Sequence, residues 1–417
     1  MPWVQTSAPL ADWYNIACSS TGTFVIAVSG RGIYTSIDSG NTWNKQTTDV
    51  PLNALWYSVA SDSSGINLVV ISNSTSGNGG DGGCIYTSND SGNTWNLRTS
   101  GLPSSANWSC VASDSTGKNL IAAAFNGGVY ISNNSGVEWT LQTNSIPQVG
   151  VWLTVASDSN GVHLMAGRQS NNITDHCLWI STNSGSTWVQ SSVYYSVIGT
   201  VCNSTGDSMF AILYGSIWKS VNSGSTWTQT SAPIYDWNAI TSDSYGSAVI
   251  AVVNGGYVWA SGNSGSTWEK IGSTVAKWYG ITTDSNGANM FAIDNSGGIY
   301  KYIPPPTTLP PTTLVILTQL RTKITTKISV PTTTLALKTL LIKLRSYINY
   351  ILAVSGRIVS ASALIPVLNT TSSTLNVANV NICLNRIKKL FPKVAISNTS
   401  SVLRLMSGKH TFDRFFR

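Results

Sequence analysis

Two irregular stretches of this sequence hold the side chains best suited to binding or chemistry. Residues 73–83 contain Asp81, and residues 168–177 contain Arg168, Asp175 and His176. A guanidinium, a carboxylate and an imidazole so close in sequence can hold a polar or charged ligand through charge-assisted hydrogen bonds. The first stretch is rich in glycine but has one acid, whereas Ca²⁺ needs several oxygen ligands. We therefore predict a binding site and assign no metal, cofactor or catalytic residue.

Both stretches interrupt a repeat. The phrase Ser-x-Asp/Asn-Ser-Gly-x-Thr/Glu-Trp occurs six times, and its Trp residues are 52, 44, 49, 39 and 41 residues apart. The third position of the phrase is held by Asp38, Asp90, Asn134, Asn183, Asn222 and Asn263. A repeat of this length indicates stacked supersecondary units.

A second anchor runs in phase with the first and places Gly nine residues after Trp, or once after Val. The pairs are Trp13/Gly22, Trp56/Gly65, Trp108/Gly117, Trp152/Gly161, Val197/Gly206, Trp237/Gly246 and Trp278/Gly287. Short apolar runs between the anchors are separated by turns rich in Gly and Asn, a pattern that predicts strands joined by hairpins. Each unit then has four strands, A to D. Four strands in about 40–45 residues are typical of a β-propeller blade.

The last unit lacks a fourth strand, and the N-terminal residues match the missing strand. Trp3 to Pro9 repeats the pattern of Trp227 to Pro233, which follows the fifth phrase. We therefore predict an all-β fold for residues 1–302, a seven-bladed β-propeller of four-stranded blades that is closed by the N-terminal strand. Closure of this kind removes the open edge that an unfinished sheet would expose.

The repeated phrase resembles the Asp box of the BNR/Asp-box propellers. These include sialidases, sortilin-type ectodomains, xyloglucan-cleaving glycosidases and the photosystem II assembly factor, and the resemblance covers residues 1–302. It implies that each box is a hairpin turn on the outer part of a blade, away from the binding face. Its Asp or Asn is expected to bond backbone groups of its own turn, which is a structural role. Because this fold hosts many activities, the resemblance says more about fold than about function.

The place of the two insertions predicts where a ligand binds. Both fall between strands B and C, and the B–C loops of a four-stranded antiparallel blade lie at the opposite end from the C–D boxes. The B–C turn of blade 1 adds a further residue to that face. The predicted binding residues are Arg31, Asp81, Arg168, Asp175 and His176. The alternative is that both insertions are solvated surface loops.

The residues present disfavour an enzyme. A sialidase needs three converging arginines, an acid/base Asp and a Tyr activated by Glu, but the repeat region has only Arg31, Arg98 and Arg168. Its two glutamates, Glu138 and Glu269, lie in or just after boxes. All 16 Trp occupy repeat positions, which indicates packing between blades and not a carbohydrate platform.

Charge divides the chain at a segment rich in Pro and Thr. Residues 1–302 hold 9 Lys and Arg against 16 Asp and Glu, and residues 303–417 hold 15 against 1, so their formal charges are −7 and +14. We predict a linker at 303–334 and a basic tail at 335–417 that is partly helical or disordered. An amphipathic helix at 335–352 suits an anionic membrane surface or an acidic partner. The alternative is that this helix packs on the protein itself or in an oligomer.

Other partners and the compartment are less clearly indicated. The tail has few aromatic residues and no recognisable nucleic-acid motif, which makes nucleic acid an unfavoured partner. No signal peptide or membrane span is recognisable, and the six Cys form no C-x-x-C pair. Cytoplasmic and particle-associated locations both stay open.

Two functional hypotheses follow. The favoured hypothesis is a non-enzymatic binding or assembly scaffold, which uses the propeller face opposite the boxes for a protein partner. The alternative is a carbohydrate-active protein, either a glycoside hydrolase or a lectin-like glycan binder. Carboxylates paired across the mouth of the ring would favour the enzyme, and a smooth apolar or charge-patterned face would favour the scaffold.

Overall fold

The described part of the chain is all-β. The structure is a computed structural model that describes residues 3–304 except 31, 52–53, 74–82, 171, 173 and 296. These residues form 28 strands and no helix, so they offer no helical membrane span. The chain divides into the units Met1–Pro305 and Pro306–Arg417. The predicted tail, its helix at 335–352 and nearly all of the predicted linker lie outside the described residues.

Consecutive strands pair antiparallel in groups of four, which we number as units and whose strands we call A to D in chain order. Unit 1 consists of β2 (Trp13–Cys18), β3 (Val25–Ser29), β4 (Gly32–Ser36) and β5 (Asn44–Gln46). Unit 2 consists of β6 (Leu55–Ser61), β7 (Leu68–Asn73), β8 (Ile85–Ser88) and β9 (Asn96–Arg98). Unit 3 consists of β10 (Asn107–Ser113), β11 (Leu120–Gly127), β12 (Val129–Ser132) and β13 (Thr140–Leu141). Unit 4 consists of β14 (Gly150–Ser157), β15 (Leu164–Gln169), β16 (Leu178–Ser181) and β17 (Val189–Gln190). Unit 5 consists of β18 (Val197–Cys202), β19 (Met209–Leu213), β20 (Ser216–Ser220) and β21 (Thr228–Gln229). Unit 6 consists of β22 (Trp237–Ser242), β23 (Val249–Gly256), β24 (Val258–Ser261) and β25 (Glu269–Lys270).

The last group takes its fourth strand from the other end of the described chain. Its strands A to C are β26 (Ala276–Thr283), β27 (Met290–Asp294) and β28 (Ile299–Tyr302), and β1 (Trp3–Gln5) pairs antiparallel with β28. Trp3 lies opposite Tyr302, is 3% exposed, and donates its indole N–H to the carbonyl of Ile271 at 2.8 Å. We call this group unit 7. The N-terminal segment that begins at Trp3 therefore forms strand D of the last group, as its sequence match to the segment from Trp227 to Pro233 predicted.

The core lies between units as well as within them. The B strands contain continuous buried runs, as in β3 and β19, where every residue is buried. The anchor Trp residues join neighbouring units, because Trp56 of unit 2 packs with Ile26 and Val28 of unit 1. The A strands of consecutive units contact each other, and β26 of unit 7 also contacts β2 of unit 1.

A β-bulge follows the anchor residue in every unit. In all seven A–B strand pairs the register shifts directly after the anchor, so the next residue has no partner in the ladder. The bulged residues are Tyr14, Tyr57, Ser109, Leu153, Ile198, Asn238 and Tyr279. A bulge redirects the side chain of the extra residue away from the regular pleat. Each unit therefore has one residue in its A strand whose side chain departs from the alternation of the strand.

The A–B loops are joined by a circuit of hydrogen bonds. One serine of each loop donates its backbone N–H to the carbonyl of the equivalent serine in the next unit, at 2.9–3.1 Å. The order is Ser20, Ser63, Ser115, Ser159, Ser204, Ser244 and Ser285, and Ser285 donates to Ser20. Buried carboxylates hold these loops in shape. Asp62, for example, accepts the N–H groups of Gly65 and Ile66.

Candidate functional site

The four-stranded units define two faces by topology alone. Their A–B loops and C–D turns lie at one end of the strands, which we call the box face, because the six repeated phrases form the C–D turns. Their B–C and D–A loops lie at the other end, which we call the B–C face. Of the binding residues predicted from the sequence, Arg168, Asp175 and His176 lie between β15 and β16 and therefore belong to the B–C face.

The boxes use their polar groups within their own turns. In the first box, Asp38 accepts the N–H of Thr42 at 2.8 Å on one oxygen and the Thr42 hydroxyl at 2.7 Å on the other. The hydroxyl of Ser36 also donates to Asp38, and Trp43 donates its indole N–H to the carbonyl of Gly40. These hydrogen bonds, above all that from the Thr42 N–H, lower the pKa of Asp38 to about 2. Neither oxygen of the carboxylate is free for chemistry.

Three of the four Asn boxes, those of Asn183, Asn222 and Asn263, keep this turn with one hydrogen bond reversed. Asn183 accepts the N–H of Thr187 at 2.9 Å, and its amide donates to the Thr187 hydroxyl at 2.8 Å. The Ser before the box Gly has a positive φ of 52–61° in all six copies, Ser39, Ser91, Ser135, Ser184, Ser223 and Ser264. The boxes therefore hold the same strained turn whether Asp or Asn is present.

Three of the five predicted binding residues come together on the B–C face of unit 4. The guanidinium of Arg168 lies 4.9 Å from the ring centre of Trp179 and 3.9 Å from the Asp175 carboxylate. Asp175 also accepts the hydroxyl of Ser170 at 2.6 Å and the amide of Asn172 at 3.0 Å. The loop therefore holds a folded cluster of charged groups.

His176 extends this cluster to an aromatic side chain. Its ring lies 4.2 Å from that of Tyr194, and Gln190 donates its side-chain amide to the His176 carbonyl at 2.9 Å. Two buried nitrogen atoms, Nε of Arg168 and Nδ1 of His176, have no hydrogen-bond partner among the described residues.

Arg31 and Asp81, the other two predicted binding residues, lie outside the described residues. The predicted absence of a metal site stays a prediction, and no group of three or more His, Cys, Asp or Glu in the described ranges could hold a metal ion. The thiol of Cys177 is buried beside Arg168, and burial is the main cause that raises its pKa. Cys177 therefore belongs to the packing beneath the loop.

Sequence reasoning missed a row of exposed apolar residues next to this cluster. We call it the tyrosine ledge, and it consists of Tyr194, Tyr195, Tyr214, Ile234 and Tyr235, which are 51%, 40%, 80%, 75% and 43% exposed. They lie in the D–A loops after units 4 and 5 and in the B–C turn of unit 5. The rings of Tyr195 and Tyr214 stack at 5.7 Å, and Tyr235 donates its N–H to the Gly215 carbonyl at 3.1 Å. The ledge is therefore continuous across two loops and a turn.

Two residues of the ledge have an unfavourable backbone conformation. Tyr195 and Tyr214 have φ values of 78° and 39°, a region that bulky side chains rarely adopt. Tyr214 and Gly215 both have positive φ in a two-residue turn, for which Asn-Gly is the preferred sequence. Strain of this kind clusters at functional sites. Tyr214 is 80% exposed, so burial of its side chain in the described fold does not compensate for its unfavourable backbone conformation.

Comparison with known proteins gives the fold. No protein-family model and no curated protein matches the chain. The structure of YCF48 from Cyanidioschyzon merolae is 18% identical, has a TM-score of 0.56, and covers 73% of this chain and 99% of its own. A structure of YCF48 bound to a D1 peptide is 14% identical, with a TM-score of 0.56 and coverages of 73% and 98%.

The GH74 enzyme of Niastella koreensis is also similar, at 17% identity and a TM-score of 0.60. The match covers 73% of this chain and 55% of the enzyme, so the present chain spans about half of that protein. These likenesses confirm that the fold is a β-propeller of the type found in YCF48 and in GH74 enzymes. At such identities they show the fold alone.

Proposed function

We propose that this protein is a non-enzymatic scaffold that binds a polypeptide partner on the B–C face of a closed seven-bladed propeller. The tyrosine ledge is the observation that carries the proposal. Tyr is enriched at protein interfaces because its ring supplies contact area and its hydroxyl supplies a hydrogen bond. The charged cluster of Arg168, Asp175 and His176 borders the ledge through Tyr194 and supplies polar contacts at its rim.

Three observations support the closed ring. The N-terminal strand β1 pairs with β28, the A strands of units 7 and 1 are in contact, and the serine circuit returns from Ser285 to Ser20. Each observation links the end of the repeat region to its beginning. In unit 7 the edge strand is then β1, which is only 3 residues long, and a short edge of this kind limits aggregation.

A solved neighbour supports a polypeptide as the partner class. One of the similar structures is YCF48 bound to a D1 peptide, and this chain covers 98% of that protein. We propose the same class of ligand, a peptide segment of another protein, for the tyrosine ledge. The large exposed apolar area of the ledge is typical of an interaction surface.

A peptide library screened on the full-length protein tests this function. We expect the protein to enrich a set of peptides, and Tyr214→Ala and Tyr195→Ala to lose most of that binding. Tyr245→Ala is the matched control, because Tyr245 is 65% exposed but lies in an A–B loop on the box face. Failure to enrich any peptide, or equal enrichment by Tyr214→Ala, would contradict the proposal.

Carbohydrate binding is the second candidate function. The stacked rings of Tyr195 and Tyr214 could support a sugar ring, and GH74 enzymes are among the structural neighbours. A glycan array and a panel of polysaccharides, used with the same variants, distinguish the two functions. Sugar binding that Tyr214→Ala removes would favour a glycan binder, and turnover that Arg168→Ala removes would favour a glycoside hydrolase.

A further inference from the structure

The bulged residues of units 7, 1 and 2 form a cluster of three tyrosines. The rings of Tyr14 and Tyr57 lie 5.3 Å apart and inclined by 30°, and Tyr279 meets Tyr14 edge-on at 5.9 Å. The hydroxyls of Tyr57 and Tyr279 are 3.4 Å apart, although the A strand of unit 1 lies between those of units 2 and 7. All three side chains are half-buried, so part of each ring contacts solvent.

The neighbouring unit fixes one side of this cluster. The amide of Asn238, the bulged residue of unit 6, donates to the carbonyls of Trp278 and Tyr279 at 3.1 Å each. The anchors Trp13, Trp56 and Trp278 already fill the cores between these units at 0–1% exposure. Tyr279 also packs against the core between units 7 and 1. The backbone of the cluster is therefore held in place before a ligand arrives.

The charges near the cluster favour a cation. Burial, followed by the Asp12 carboxylate, raises the pKa of Tyr14, and burial raises the pKa of Tyr279 far above its ordinary value. Tyr14 and Tyr279 therefore stay neutral phenols, with electron-rich ring faces. Asp12 is exposed, and none of the seven bulged residues is Lys, Arg or His. An anionic ligand would meet Asp12 without a balancing positive charge among these residues.

We propose that Tyr14, Tyr57 and Tyr279, together with Asp12, form a binding site for a cationic side chain, an arginine or lysine of a partner polypeptide. The cation would lie against the phenol rings in a cation–π contact, an arrangement that a ring face and a nearby carboxylate both stabilise. The site is on the A strands and separate from the tyrosine ledge. Its test therefore does not depend on whether the ledge binds a peptide.

The test compares two short fluorescent peptides that differ in one residue, arginine or its neutral isostere citrulline. Binding to the full-length protein is measured by fluorescence anisotropy at low and high salt. We expect the arginine peptide to bind more tightly, and Tyr14→Leu to weaken it by about two- to thirtyfold, the range of a cation–π contact. Tyr14→Phe keeps a ring face and should stay within about twofold of the unchanged protein.

Asp12→Asn supplies the second variant, because an exposed side chain can be replaced without disturbing the fold. It should weaken the arginine peptide several-fold at low salt and less at high salt, since salt screens exposed charges. Tyr245→Leu on the box face is the control and should change nothing. Equal binding of both peptides, binding of neither, or unchanged affinity in Asp12→Asn or in folded Tyr14→Leu would overturn the proposal.

Discussion

At the scale of single residues, the two faces differ in how their polar groups are used. On the box face both oxygens of Asp38 accept hydrogen bonds from the same turn. On the B–C face, Arg168 and Asp175 lie 3.9 Å apart, and their side chains stay 23% and 36% exposed. A carboxylate whose oxygens both accept hydrogen bonds within its own turn has little to offer a ligand, whereas a partly exposed ion pair can still contact one. The contrast supports a structural role for the boxes, and the binding role of the opposite loops stays a proposal.

Asp38→Asn should change the pH dependence of stability and little else in the fold, because four of the six boxes already contain Asn. The pKa of Asp38 is about 2, below its ordinary 3.8. A lowered pKa means that the carboxylate stabilises the fold above about pH 4 and loses this effect as the pH falls through 2. We therefore expect the denaturation midpoint of the unchanged protein to exceed that of Asp38→Asn by a margin that shrinks between pH 4 and pH 2. A margin independent of pH would contradict this assignment.

Tyr214→Asn should stabilise the protein and weaken partner binding. Asn tolerates the left-handed backbone of this turn, so the substitution should raise the free energy of unfolding by about 1 kcal/mol. The thermal midpoint should rise by about 2 °C. Peptide binding on the ledge should fall in the same variant. Tyr245→Asn on the box face is the control for binding, and a lower midpoint in Tyr214→Asn would show that the ring supports the fold.

At the scale of elements, the strands followed from the sequence and the bulges did not. The all-β fold was predicted correctly because Trp and Gly anchors recur at one spacing and turn residues separate the apolar runs. The doublets Trp13-Tyr14, Trp56-Tyr57 and Trp278-Tyr279 were visible in the sequence. The three tyrosines come together only through contacts between units 2 and 7, and a local sequence pattern does not predict such contacts. The ledge was missed because Tyr195 and Tyr214 each occur in one loop and form no periodic signal.

The strand β1 gives a prediction at the same scale. Trp3 packs against Trp278 and Tyr302 at ring distances of 5.7 and 5.3 Å and is 3% exposed. Replacement by Ala leaves a large cavity, so Trp3→Ala should lower the free energy of unfolding by about 3–5 kcal/mol in urea denaturation.

Val4 on the same strand provides the matched control for this measurement. It is 46% exposed, and Val4→Ala should stay within about 0.5 kcal/mol of the unchanged protein. Trp3→Ala should also self-associate at high concentration, because loss of β1 exposes the edge of β28. Equal stability of the two variants would show that β1 contributes little to the fold.

At the scale of the whole molecule, the distribution of charge divides the sequence into an acidic and a basic part, but it does not predict the function of either part. The acidic repeat region and the basic remainder carry −7 and +14, so a single isoelectric point describes neither part. The repeat predicted the propeller fold, but the seven-bladed closed ring stays a proposal. The ligand could not be predicted, since the residues proposed to bind it lie where the repeat is irregular.

The basic tail supplies the prediction at this scale. Residues 303–417 hold 15 Lys and Arg and one acid, and a positive segment of this kind is attracted to anionic lipids. The full-length protein should bind vesicles that contain phosphatidylserine, and deletion of residues 303–417 should abolish that binding in a sedimentation assay. Vesicles of neutral lipid are the control. Equal sedimentation of the two proteins would contradict this prediction. If both sediment with the vesicles, the propeller binds the membrane, and if neither does, the protein has no affinity for these lipids.

The pairing of β1 with β28 has a consequence for how fast the molecule opens. Trp3 and Tyr302 are far apart in the chain, and bringing the ends of so long a loop together in an unfolded chain costs about 5 kcal/mol of entropy. That cost falls once units 1 to 6 are formed, because the two strands are then already close. We therefore expect this pairing to form after the rate-limiting step of folding. Contacts that form so late leave the folding rate nearly unchanged and slow unfolding, so Trp3 acts mainly on the lifetime of the folded protein.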